Sequence, residues 1–96
     1  MNPSIGVLTL ELHIDDARSL KDKRHVVKGL KDRLRTRFNV SVAEIAHQEL
    51  WQRAVVGVVT ISGDRQRAEQ VLQSVENDAA ALLGGMLVGA EVEWLA

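Results

Sequence analysis

"RAVVGVVTISGD" runs from Arg53 to Asp64. Val55, Gly57, Val59 and Ile61 fall on one side of an extended chain; Ala54, Val56, Val58 and Thr60 fall on the other. Both sets are apolar and mostly β-branched, so the stretch reads as a strand covered on both faces. Gly63 ends it, and Asp64 is placed to cap a following helix. That helix carries Ala68, Val71, Leu72, Val75, Ala79, Leu82 and Leu83 on one stripe and stops at Gly84-Gly85. Upstream, "NVSVAEIAHQ" (residues 39–48) alternates roughly and reads as a strand, joined to residue 53 by the connection "ELWQR".

The remaining elements follow outward from this core. In "GVLTLELHI" (residues 6–14), Leu8, Leu10, Leu12 and Ile14 oppose Val7, Thr9, Glu11 and His13, the period of a half-buried strand. "DDARS" is a turn. Ser19 caps a helix with Asp22 three positions on. Leu20, Val27, Leu30, Leu34 and Phe38 form its apolar stripe, and Asn39 is its expected stop in left-handed geometry. "MLVGAEVEWLA" is a last strand, with Met86, Val88, Ala90, Val92 and Trp94 opposed to Leu87, Gly89, Glu91 and Glu93.

Strand, helix, strand, strand, helix, strand is the split βαβ, ferredoxin-like order. The expected α+β fold is a four-stranded antiparallel sheet with both helices on one face, forming a single domain over residues 1–96. The other face should hold Val7, Thr9, Glu11 and His13 beside one apolar side of the third strand. Water does not favour such a face, so a homodimer is expected.

Composition narrows the function. The chain has 96 residues, 46% apolar and 26% charged, as in ordinary globular domains rather than disordered ones. Without Cys, disulfides and thiolate chemistry are excluded. The N-terminal stretch lacks the basic and apolar regions of a signal peptide. No apolar run, Ala54–Val59 included, reaches the ~20 residues of a membrane span. A cytoplasmic protein without membrane association is expected.

Charge is distributed unevenly. Residues 19–38 carry eight Lys or Arg against two Asp, net +6, while the other residues carry -7. Lys21, Arg24, Lys28, Lys31 and Arg35 recur at three, four, three and four, within an arc of about 80° on a helix. No acid interrupts this row, and Asp22 and Asp32 lie further round. Such a row can follow a phosphate backbone, with Lys23 and Arg37 at its margins. The alternative is a solvated helix face, or one neutralised by Glu44 or Glu49. Phe38, Trp51 and Trp94 are the three aromatics. None makes a pair on the first and third strands, so phosphate or shape recognition is expected rather than base stacking.

Other chemistry finds little support. His13, His25 and His47 lack a metal-ligand spacing. Phosphate-binding glycine motifs and a serine–histidine–acid set are absent. Neither an enzyme nor a cofactor or metal is expected. Trp51 is read as a lid on a small core or a contact with a partner subunit, and Arg53 as the mate of Glu44 or Glu49.

"SLKDKR" (19–24), "RFNVSVAE" (37–44) and "WQRAVVG" (51–57) together resemble the YlxP-like family of small bacterial proteins, domain of unknown function 503. The similarity spans nearly the whole chain. It rests on Ser19, Leu20, Lys21, Lys23 and Arg24, then Phe38, Asn39, Val40, Ser41 and Glu44, then Trp51, Gln52 and Arg53. Glu49 stands where the family pattern has Asp. The resemblance implies a ferredoxin-like, bacterial, cytoplasmic protein. Its members are often encoded beside translation and ribosome-maturation factors, which implies an RNA or ribosomal-subunit partner. With the basic row, the leading expectation is a small accessory protein binding structured RNA or ribosomal particles. The alternative is a homodimeric protein-interaction or structural module without nucleic-acid binding, with Trp51 and Arg53 at the contact.

Overall fold

The computed structural model describes residues Met1–Ala96. Four strands and two long helices follow in the order β1 (Ser4–His13), α1 (Leu20–Arg37), β2 (Ser41–Ala46), β3 (Arg53–Ser62), α2 (Arg65–Leu83) and β4 (Leu87–Trp94). The sheet order is β2-β3-β1-β4, with every neighbouring pair antiparallel. The two central strands are therefore β3, the stretch apolar on both sides, and β1. This is the expected ferredoxin-like architecture.

Leu8, Leu10 and Leu12 of β1 lie opposite Val58, Val56 and Ala54 of β3, and all six are fully buried beneath the helices. Each large side chain so buried contributes about 1.5–3 kcal/mol relative to exposure. The helices complete the core with Val27, Leu30 and Leu34 from α1 and Leu72, Val75, Ala79 and Leu83 from α2. Asp64 caps α2 by accepting from the Gln66 N–H at 3.0 Å. Gly84 ends α2 with φ 56°, a conformation that costs a side-chain-bearing residue steric strain.

Three local readings change. Helix α1 ends at Arg37, with Phe38 extended and its N–H donating to the Leu34 carbonyl at 2.9 Å. Asn39 is therefore not its left-handed stop; the non-glycine residue with positive φ is His47, at 64°, in the turn after β2. In β4 the register shifts opposite Glu11 and Leu12, so that Glu11 faces Gly89 while Leu12 faces Leu87. The bulge inserts Val88 as an exposed extra residue and turns Leu87 toward the core instead.

The third change concerns the tryptophans. Trp94 packs against the helix side of the core, beneath Arg65, whose guanidinium lies 3.7 Å from the ring centroid. Gly6 makes this close approach possible, because a Cβ there would come within 2.7 Å of both Trp94 and Leu72. The lid role read for Trp51 thus belongs to Trp94. Trp51 lies in the β2–β3 connection and is 53% exposed.

Candidate nucleic-acid interface on α1

Helix α1 is held at its start by a closed capping arrangement. Ser19 Oγ accepts from the Asp22 N–H at 3.1 Å, and Asp22 Oδ2 accepts from the Arg18 N–H at 2.9 Å. Lys23, Val27, Leu30 and Leu34 face the core. Lys21, Arg24, Lys28 and Arg35 are exposed and Lys31 is half-buried, so the five-cation row lies along one flank of the helix.

Asp32 joins this row. Its Oδ2 accepts from Lys28 Nζ at 2.6 Å, and its Oδ1 is 3.8 Å from Arg35. The Lys28 hydrogen bond is the main cause holding the Asp32 carboxyl below its ordinary range; partial desolvation opposes it, and the charges of Lys28, Arg35 and Lys31 add to it. One acid thus does interrupt the row, because side chains four apart meet on a helix surface even when their wheel angles differ. Arg35 is further engaged, donating to the Val42 carbonyl of β2 at 3.1 Å.

Two residues placed at the margins leave the row. Lys23 has no exposed surface. Its ammonium donates to the carbonyls of His47, Gln48 and Arg53 at 2.6, 3.2 and 3.3 Å and lies 2.9 Å from Glu44 Oε2. Enclosed by these four oxygens, it has no path to a phosphate. Arg37 turns toward α2, where Asp78 Oδ1 accepts from it at 3.0 Å. Arg33 makes a forked pair with the same carboxylate at 2.9 and 3.2 Å. The Arg33 hydrogen bonds, helped by both guanidinium charges, hold the Asp78 carboxyl below its ordinary range against desolvation, and they raise the Arg33 guanidinium above its own.

Arg53 also takes a different mate. It donates to Glu11 Oε1 at 3.1 Å across the open sheet face, while Glu44 belongs to Lys23. Trp51 and Leu50 are exposed at the tip of the β2–β3 connection. Lys23 braces that loop from within. Gln52 adds a second brace, donating to the carbonyls of Asp15 and Ala17 at 3.0 and 3.1 Å. No helix is long and apolar enough to cross a membrane.

The Lys23 brace had a signal in the sequence. The stripe Leu20, Val27, Leu30, Leu34 has a gap of seven, and position 23 divides it into three and four. A lysine in a core register needs buried acceptors, and the β2–β3 connection provides them. The Asp78 clamp had no comparable signal, because it joins residues more than 40 positions apart in the chain.

The fold and the charged flank of α1 define a small ferredoxin-like α/β domain with one basic helix. The DUF503 family, described as a protein of unknown function, matches residues 5–91, and the chain belongs to it. Uncharacterized protein YlxP of Bacillus subtilis (strain 168) is 44% identical over 71 residues, covering 74% of this chain and 77% of the relative. Among solved structures, the de novo designed protein Foldit4 superposes with a TM-score of 0.63 at 12% identity, over 99% of this chain and 98% of the other. A C-terminal segment of the alpha subunit of aIF2 from Pyrococcus abyssi gives 0.55 at 16% identity, over 99% of this chain and 51% of the other. At such identities these structures speak to the fold.

Proposed function

We propose that the chain binds structured RNA, free or within a ribosomal particle, through the basic flank of α1. The observation that supports this most directly is the row itself. Lys21, Arg24, Lys28, Lys31 and Arg35 share one flank with a single carboxylate, Asp32, among them. From Lys21 to Arg35 the row extends about 21 Å along the helix axis, enough to meet several phosphates. Like charges at i,i+4 disfavour a helix by about 0.2–0.5 kcal/mol per pair. Arg24 with Lys28 and Lys31 with Arg35 accept that cost.

Recognition would be by phosphate position and helix shape. Trp94 is turned to the helix side of the sheet and Phe38 packs against the core, so neither offers the open face a surface for base stacking. The test is retention of duplex-containing RNA and ribosomal subunits at low and moderate salt. Arg24→Gln, Lys28→Gln and Lys31→Gln together should abolish retention at moderate salt. They should also lower the slope of log K against log salt by about 2–3, the share of three phosphate contacts. Absence of retention by the unaltered chain at low salt would overturn the reading.

A further inference from the structure

The face of the sheet turned away from the helices is apolar over β2, β3 and half of β1. Ile45, Val59 and Ile61 stand on it at 52%, 37% and 58% exposure, with Ile5, Val7 and Val55 half-buried among them. Ile45 arrives there because Gly57 lacks a side chain; a Cβ at Gly57 would lie 3.3 Å from Ile45. The rest of the face differs in character. Glu91 and Glu93 point outward from β4, opposite Thr9 and Val7. An antiparallel sheet that leaves one face to water normally alternates apolar-in and polar-out. Here β3 is apolar on both sides, and the rule is followed by the β4 margin and by the Thr9, Glu11 and His13 end of β1.

We propose that this face closes on a second copy of the chain, with β3 lying over its symmetry mate. This does not depend on RNA binding. Charge selects the arrangement. A two-fold axis across the strands would set β4 over its own mate and bring two copies of Glu91 and Glu93 together, a like-charge contact that costs stability. An axis running along β3, between the two sheets, instead places β2 over the mate's β1 and leaves Glu91 and Glu93 at the solvated rim. Arg53 and Glu11, already paired at 3.1 Å, enter as a neutral unit.

The area suffices for a second copy. Three strands about 4.8 Å apart and roughly eight residues long give a flat footprint of about 400 Å² per copy. Side-chain relief brings the total lost from both copies to about 1,000 Å², near the lower bound for a specific interface. Nucleic acid does not fit here, because this face carries the acids. The same axis keeps both β2–β3 connections at one end of the dimer, so the exposed Leu50 and Trp51 of each copy flank the contact there. Both α1 helices then face outward on opposite sides.

The mass of the full chain in solution tests this, by sedimentation at concentrations up to about 100 µM, where a dimer of at least micromolar strength is populated. The expected mass is twice 10.6 kDa. Val59→Lys with Ile61→Lys should give a monomer with an unchanged circular dichroism spectrum, since neither side chain belongs to the core. If that pair does not fold, Val59→Thr with Ile61→Thr keeps the β-branching and should weaken the dimer roughly tenfold, or about 1.4 kcal/mol. The chain has no Cys, so Val59→Cys supplies a single thiol that a short bismaleimide should link to its mate. A monomer at the highest concentration, a dimer indifferent to the substitutions at 59 and 61, or a dimer in which Val59→Cys does not cross-link overturns the proposal. The Gln variants of α1 should leave the mass unchanged, so the two proposals can fail separately.

Discussion

The ammonium of Lys23 and the carboxylate of Glu44 lie 2.9 Å apart, with 1% and 15% of their side-chain surfaces exposed. One residue of the most basic stretch in the chain is thus an internal brace joining α1 to β2 and to the loop beyond it. Glu44 Oε2 is buried and accepts no aligned hydrogen bond, so the neighbouring positive charge is what compensates it. Two loop carbonyls, of His47 and Gln48, and the Arg53 carbonyl at the start of β3 accept from the same ammonium.

Removing that ammonium should therefore be costly. Lys23→Met preserves the stem but leaves Glu44 and the three carbonyls uncompensated. A loss of about 3–5 kcal/mol is expected, as for breaking one side of a buried ion pair. Chemical denaturation measures it. Adding Glu44→Gln should recover part of the loss by removing the orphaned charge; equal stability of the single and double variants would show that the carboxylate is not the main burden.

Asp78 should make the joint between the two helices acid-sensitive. Its carboxyl titrates below its ordinary range because Arg33 and Arg37 hold the charged form. A depressed folded-state value contributes stability that is present above the unfolded value, near 4, and lost as pH falls through the folded value. Asp78→Asn should cost about 1–2 kcal/mol at neutral pH, the lower part of the range for charged hydrogen bonds because Arg37 is half-exposed. The difference between variant and parent should be full at neutral pH and shrink at a pH well below about 4, as the folded-state carboxylate is protonated. Parallel urea titrations at the two pH values test this.

Asp32 bears on the RNA reading with the opposite sign. It is the single acid within the row, paired with Lys28 and near Arg35. Asp32→Asn releases both cations and removes a repulsive charge, so retention of duplex RNA should strengthen roughly two- to fivefold, the scale of an exposed charge contact. The gain should shrink as salt rises. Unchanged or weaker binding at low salt would place the contact elsewhere.

Two glycines should respond in opposite directions to alanine. Gly6→Ala drives a methyl group to 2.7 Å from Leu72 and Trp94, and overpacking of this kind costs about 1–3 kcal/mol. Gly29 lies inside α1 with nothing within 4 Å of an added Cβ. Gly29→Ala should stabilise by about 0.5–1 kcal/mol through helix propensity. Thermal melts of the two variants against the parent decide both.

Local chemistry and periodicity were enough to order the elements in this chain. Alternation in β1, the doubly apolar run in β3, the Ser19 and Asp64 caps and the Gly84 stop each depend on neighbours a few residues away, so the ferredoxin-like order was legible from them. The bulge that turns Leu87 inward, the exchange of roles between Trp51 and Trp94, the particular oxygens that enclose Lys23, and the mates of Arg37 and Arg53 were not. Each depends on groups brought together across 24 to 88 positions, from Lys23 to His47 and from Gly6 to Trp94. Periodicity could place a cation on a face of α1. Only the packed chain decided which carboxylate or carbonyl would reach it first, because charge pairing acts over a few ångströms of space and takes no account of separation along the chain.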